Sequence, residues 1–247
     1  MWKQSIAIAG LAALCFACGG GEEAQNKAVS SEARKAEWSW LDGAQKELTA
    51  LRQQAATLAG QATPEATAQL ATLQPQIDAK TDELGRRLVE YINADPPIQG
   101  EPMKPEQVAA FRLKSAEDMF VAREFIDKGG DYRRALDILK AAAAVDPDNP
   151  TLKSAIAEAE ANRLVTPERF ALVKKGMTPE EVRQVVGPVY LRNVKEYPDK
   201  GIVSWFYPTA DDGHAAAVYF HKKGESLIVY QATFDAVKPG GAAGEEG

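Results

Sequence analysis

Gly176-Met177-Thr178-Pro179-Glu180-Glu181-Val182-Arg183-Gln184-Val185-Val186-Gly187-Pro188 spells out a helix with its own start and stop. Thr178 is placed to cap the first turn, Pro179 to sit inside it, and Glu181 to reach back in a capping box. Val182, Val185 and Val186 form an apolar side, and Gly187-Pro188 ends the helix. Just upstream, Thr166-Pro167-Glu168 opens a shorter helix through Phe170, Leu172 and Val173, closed by Lys174-Lys175-Gly176. Downstream the period falls to two. Strand-like runs at 189–194, 202–207, 215–220 and 226–234 alternate with turn sequences. Two helices followed by such runs predict an α+β unit over 166–235, with an antiparallel sheet of three or four strands. Alternation puts Val203, Trp205 and Tyr207 on one face and Phe206 on the other.

Upstream the pattern is helical. Leu41, Ala44, Leu48, Leu51, Ala55, Leu58 and Ala62 fall alternately three and four residues apart, a heptad seam. Gly60 and Thr63-Pro64-Glu65 close it, and Leu70, Leu73, Ile77, Leu84, Leu88 and Tyr91 carry the apolar face onward. Pro75 is expected to kink or interrupt this second helix. The two helices predict a coiled-coil-like hairpin over 31–94, either a docking element or an ordinary packed hairpin. The many Ala at the seam bury little area and favour the latter. Trp38 and Trp40 read as anchors in a small core. Three further helices are expected near 106–128, 131–145 and 151–163, separated by Gly129-Gly130 and by Asp146-Pro147-Asp148-Asn149-Pro150.

The chain has 247 residues, 45% hydrophobic and 26% charged, with 29 Lys+Arg against 35 Asp+Glu and a net charge of −6. This is globular composition, and the acidic excess argues against nucleic-acid binding by phosphate neutralisation. The two cysteines, Cys15 and Cys18, lie in the first twenty residues, so the rest has no thiol for disulfides, zinc or nucleophilic chemistry. Residues 1–17 carry a short positive start and an apolar run too short to span a bilayer, as in an exported signal peptide. Residues 18–30, rich in Gly and Glu, read as a flexible tether, and 236–247 as a disordered tail.

Three resemblances follow. Ala17-Cys18-Gly19 at the end of the apolar run resembles a bacterial lipoprotein signal, which implies cleavage before Cys18 and lipidation of its thiol. A plain secretory signal cut near Ala17 would instead leave an exposed free thiol. Gly130-Asp131-Tyr132, Ala135, Leu139, Ala142 and Asp146-Pro147-Asp148-Asn149 resemble a tetratricopeptide repeat (TPR), so 105–163 is expected to be TPR-like. Arg123 stands where that family has a small residue. This implies either a shallow peptide groove or a structural spacer, because one repeat cannot bury its own face. Phe170, Val173, Gly176-Met177-Thr178, Glu181-Val182, Gly187-Pro188, Trp205, Tyr207, Val218 and Phe220 resemble the BamE (SmpA/OmlA) family of outer-membrane lipoproteins, and more loosely the β-lactamase-inhibitor-protein fold. That resemblance implies a non-enzymatic accessory subunit in outer-membrane assembly.

Sequences for catalysis are few. His214, close to Asp211 and Asp212, and His221 seven residues on, read as a solvated turn rather than a metal site. No phosphate loop or Ser-centred elbow stands out. The expectation is a lipid-anchored envelope adaptor, without enzymatic activity, metal or cofactor, held on the membrane and contacting other envelope proteins. Gly19 after the modified Cys favours the outer membrane, facing the periplasm. Trp205, Phe206 and Tyr207 are the candidate protein-binding residues. The alternative is an enzyme inhibitor or peptide binder using the C-terminal sheet face.

Overall fold

The computed structural model describes residues 31–224 and 226–239. The expected signal peptide, Cys18, the expected tether and the last eight residues of the expected tail lie outside the described residues. Among the described residues, seven α-helices precede a four-stranded antiparallel sheet, an α+β fold.

Helices α1 (Ser31–Gln61) and α2 (Pro64–Ala94) form the hairpin, each about 46 Å long. The Thr63 side chain caps α2 by accepting from the Ala66 N–H at 3.1 Å. Side-chain pairs Glu37–Arg87 and Glu47–Lys80 climb one helix as they descend the other, so the helices run antiparallel. Leu41, Leu48 and Leu84 are fully buried at the seam, each worth about 1.5–3 kcal/mol. One expectation needs correction: Ala62 is not a seam residue, because it lies beyond α1, exposed, at φ +50°. Of the two outcomes expected at Pro75, interruption does not occur, and α2 runs through it. Pro75 and Ala71 are both exposed, so the carbonyl that lacks a proline N–H partner faces water.

Arginines bind the hairpin laterally. Arg87 forms a two-pronged bond to Glu37 at 2.8 and 2.6 Å, with its guanidinium 3.5 Å from the Trp40 ring centre. Trp38 packs on Tyr91 at 5.7 Å. Both tryptophans sit against the hairpin core. Arg52 reaches further. It donates to Glu117 at 3.1 and 2.9 Å and to Thr81 at 3.2 Å, and lies 3.5 Å over Phe120.

Glu117 and Phe120 belong to α3 (Pro105–Gly129), which serves two cores. Ala110 and Leu113 join the hairpin cluster; Ala122 joins a second cluster with α4 (Tyr132–Val145) and α5 (Pro150–Asn162). Asp131 and Asn149 cap α4 and α5. Ala135, Leu139 and Ala142 are buried there, with Leu152 and Ala159. Arg123 does not enter this contact. It is exposed and paired to Asp127 and Glu158, and the neighbouring Ala122 is the small residue at the crossing.

Gly130 ends α3 in the left-handed conformation (φ +62°) and is buried. A Cβ there would lie 2.4 Å from the Val189 carbonyl carbon and oxygen and 2.5 Å from the Tyr190 nitrogen. The helical region therefore abuts the C-terminal unit backbone to backbone.

That unit contains α6 (Pro167–Phe170), α7 (Pro179–Val186), β1 (Val194–Tyr197), β2 (Ile202–Pro208), β3 (Ala215–Lys223) and β4 (Ser226–Val237), with sheet order β1-β2-β3-β4. The Thr178–Glu181 capping box is formed, and Val182 and Val186 are buried. Gly176 and Met177 exchange backbone hydrogen bonds with Val229 at 2.8 Å, covering that point on the outer edge of β4. Three boundaries differ from expectation. The strand expected over 189–194 is a 3-10 turn at Leu191–Asn193, and β1 starts at Val194, where pairing with β2 begins. Leu172 follows the shortened α6 and is exposed, while Val173 is buried. The tail expected from 236 starts later, because β4 extends to Val237 opposite Ala215.

Two predictions follow from the helical half. The Arg87 bond holds the Glu37 carboxyl below the ordinary glutamate range. A lowered folded-state value gives stability that is present above the unfolded value and lost as pH falls through the lowered one. Glu37→Gln should therefore cost about 1 kcal/mol at pH 7. The gap to wild type should close on acidification below the ordinary glutamate range, read by denaturant melts across pH. Alanine–glycine exchanges should have opposite signs at two sites. Gly130→Ala meets fixed backbone at a left-handed position and should cost about 3 kcal/mol or more. Ala62→Gly relieves a left-handed alanine in open solvent and should gain about 0.5 kcal/mol after the entropy of the unfolded chain is deducted.

Candidate functional site

The sheet has one face on the helices and one face away from them. Val218, Phe220, Val229, Trp205 and Tyr207 pack with Val182 and Val186 on the helix side. The β2–β3 register pairs Ser204 with Tyr219 and Phe206 with Ala217, placing these four on the opposite face. Neither Phe206, Tyr219, His221 nor Tyr230 belongs to the helix-facing core.

All four ring-bearing residues lie where alternation puts them, Tyr230 because it follows the inward-facing Val229. Tyr219 pairs with Gln231 while Phe220 pairs with Val229, so Tyr230 is the extra residue of a β-bulge. Tyr230 lies against Tyr219 (6.2 Å) and His221 (5.5 Å). Phe206 meets Tyr219 edge-on at 6.5 Å, and the Lys195 ammonium lies 5.4 Å from the Phe206 ring centre. The result is a half-buried row Phe206–Tyr219–Tyr230–His221. Burial, followed by the neighbouring Tyr230 and Tyr197, raises the Tyr219 hydroxyl above its ordinary range. At pH 7 it is a neutral donor. Among the described residues, the Tyr219 and Tyr230 hydroxyls and the His221 ring nitrogens make no hydrogen bond. Ser204, 1% exposed, has a hydroxyl without a partner.

Trp205 and Tyr207, expected at a protein-binding surface, lie in the core. They are 5% and 4% exposed. Trp205 packs on Phe220 at 4.7 Å under the Arg183 guanidinium, and the Tyr207 hydroxyl donates to the Gly187 carbonyl at 3.3 Å. Burial drives the Tyr207 pKa far upward, so this hydroxyl is a fixed donor at physiological pH. Only Phe206 of the three reaches the open face. Cys18 lies outside the described residues.

The acid–histidine turn has local partners. Asp211 grips Arg163 beyond α5, with one contact at 2.8 Å, and Asp212 lies 2.7 Å from His214 Nδ1. The Arg163 bond lowers the Asp211 pKa, and the His214 bond lowers that of Asp212. His221 sits seven residues along β3, about 23 Å from His214 if the strand is extended. Among the described residues, no three His, Cys, Asp or Glu side chains are grouped to hold a metal ion. No described helix is long and apolar enough to cross a membrane.

Compared with known proteins, the chain matches no family model, no curated protein sequence and no solved structure.

The two faces of β2 should separate in stability measurements. Trp205→Ala should cost about 3–5 kcal/mol, as for a buried aromatic, whereas Phe206→Ala on the open face should cost about 1 kcal/mol or less. Ser204→Ala removes a buried hydroxyl without a partner and should be neutral or stabilising by up to about 1 kcal/mol. Denaturant melts of the three variants check the assignment.

Proposed function

We propose that this protein is a non-enzymatic adaptor of the bacterial cell envelope, anchored by lipid at Cys18, that binds another envelope protein through the open face of its C-terminal sheet. The carrying observation is the row Phe206–Tyr219–Tyr230–His221, with Lys195 beside it. Tyrosine and other aromatic side chains give large contact area for little conformational entropy, and their polar ends fix orientation. Here the polar ends are unused within the described chain. The Ala17-Cys18-Gly19 signal supports the anchor, and several acyl chains on one Cys bind a bilayer firmly. In this reading the TPR-like helices and the hairpin are spacers that hold the sheet away from the membrane.

The test is recovery of partners from detergent-solubilised membranes. Wild-type chain should co-purify with a stable envelope protein. The double variant Phe206→Glu/Tyr219→Glu should lose about tenfold or more of it while its melting curve stays near wild type. Unchanged recovery from the double variant, or recovery of no protein from wild type, would overturn the adaptor reading. Cys18→Ser should release the chain from the membrane fraction, and the mass of the native N-terminus should show acyl chains.

A further inference from the structure

The two edges of the sheet differ. On the outer edge of β4, Val229 is already bonded by Gly176 and Met177. The outer edge of β1 is covered at its start, where the Val194 N–H donates to the Leu191 carbonyl; otherwise Val194–Tyr197 pair with β2. Alternate residues of an antiparallel strand point N–H and C=O away from their partner, so β1 presents unpaired groups outward.

Beside this edge lies a crevice of about 300 Å³, between the end of α3 and the C-terminal unit. Trp205, Val194, Leu191 and Glu196 line it from the sheet side, and Asp127 and Lys128 from α3. Its walls are fixed by the Gly130 backbone pressed on Val189 and Tyr190. Most of the charges are paired: Asp127 with Arg123, Lys128 with Glu124 and Arg183 with Glu180. Glu196 has no ion pair among the described residues.

We propose that β1 and this crevice form a strand-addition site for an extended segment of another protein, with an apolar side chain opposite Val194, a basic one opposite Glu196 and an acidic one opposite Lys195. Side chains on an added strand alternate as β1 does. Positions opposite Val194 and Glu196 face the crevice; the position opposite Lys195 faces the open side of the sheet. Charge selects the occupant. A second copy pairing antiparallel through a two-fold axis must set residues of the same face opposite one another. The two such registers centred on the short strand place Lys195 against Lys195, or Glu196 against Glu196. Like charges directly opposed are destabilising. The Lys195–Glu196 pair therefore rejects a folded second copy, whose sheet face is fixed, and accepts a free segment that can turn to set Glu opposite Lys195 and Lys opposite Glu196. This site meets the aromatic row only at Lys195, whose ammonium lies 5.4 Å from the Phe206 ring centre.

The probe is a synthetic peptide with the core Val-Lys-Glu-Ile, which pairs antiparallel as described, against a charge-swapped control, Val-Glu-Lys-Ile. Both are titrated into the full-length chain, with amide hydrogen exchange read at 194–197. The first peptide should bind about tenfold better than the control and protect these amides. The exposed double variant Lys195→Glu/Glu196→Lys should reverse the preference. Four outcomes would overturn the proposal. These are no binding of either peptide, equal binding of both, binding without protection at 194–197, or a preference unmoved in the double variant. Protection at 194–197 that rises with protein concentration alone would identify a second copy as occupant and would also overturn it.

Discussion

The close approach of Gly130 to the Val189–Tyr190 backbone is the constraint that joins the two halves of the molecule. A helix end must reverse direction, and a left-handed residue does so at little cost only when it is glycine. At Gly130 the missing Cβ is also needed for packing, because that atom would fall 2.4 Å from the next unit's carbonyl. The turn that ends α3 thus also docks the sheet domain. Nearby contacts share the load: the Val165 N–H bonds to the Pro208 carbonyl, Arg163 to Asp211, and Arg169 to Asn162. The crevice beside β1 exists because this docking leaves the last turn of α3 standing over the first strand.

The hairpin meets a different difficulty. Ala44, Ala55 and Ala66 lie along its seam, and alanine buries little apolar area. Long helices with a thin seam need lateral bonds, and arginine supplies them in one recurring form. Arg34 lies 3.9 Å over Tyr91 and 3.7 Å from Asp95, Arg87 lies over Trp40 with Glu37, and Arg52 lies over Phe120 with Glu117. A planar guanidinium can stack on a ring with its faces and bond a carboxylate with its edge. Arg52 is the most enclosed of the three and the only one that connects α1, α2 and α3. Its Nε lacks a partner in this enclosure, so the clamp is incompletely satisfied. Such a group favours one helix register more than it adds net stability.

Local signals were readable in the sequence and non-local ones were not. The cap at Thr178 and the helix start at Thr63-Pro64 depend on a few neighbouring residues, and both form; Asp131, Asn149 and Thr166 cap their helices in the same local way. Period-two alternation correctly separated Phe206 from Trp205 and Tyr207. It could not say which side meets the helices, since that depends on how α6 and α7 fold back. The run at 189–194 is rich in β-branched and aromatic residues, but a strand needs a partner, and β2 pairs only from Val194 onward. The face of Tyr230 follows from the inward-facing Val229 beside it, whereas its unpaired place between Val229 and Gln231 exists only in the β3–β4 pairing. Helix α2 continues through Pro75 because exposure to water softens the loss of one hydrogen bond.

The small sheet divides its surfaces by chemistry. One face is apolar and closed by α6 and α7, as an α+β layer requires. The other face keeps its rings and hydroxyls at the boundary with water, where area and polarity occur together. The edges are managed in opposite ways. Gly176 and Met177 cover β4 at Val229, while β1 relies on shortness and on two adjacent charges of opposite sign. Short length and charge are ordinary defences against edge-to-edge association. With Lys195 and Glu196 adjacent, the defence is specific to the chain's own copy, because a two-fold axis brings like residues together. A segment not tied to this sheet can turn either face and meets no such penalty, so the feature that keeps the folded protein from pairing with itself leaves the edge open to another chain.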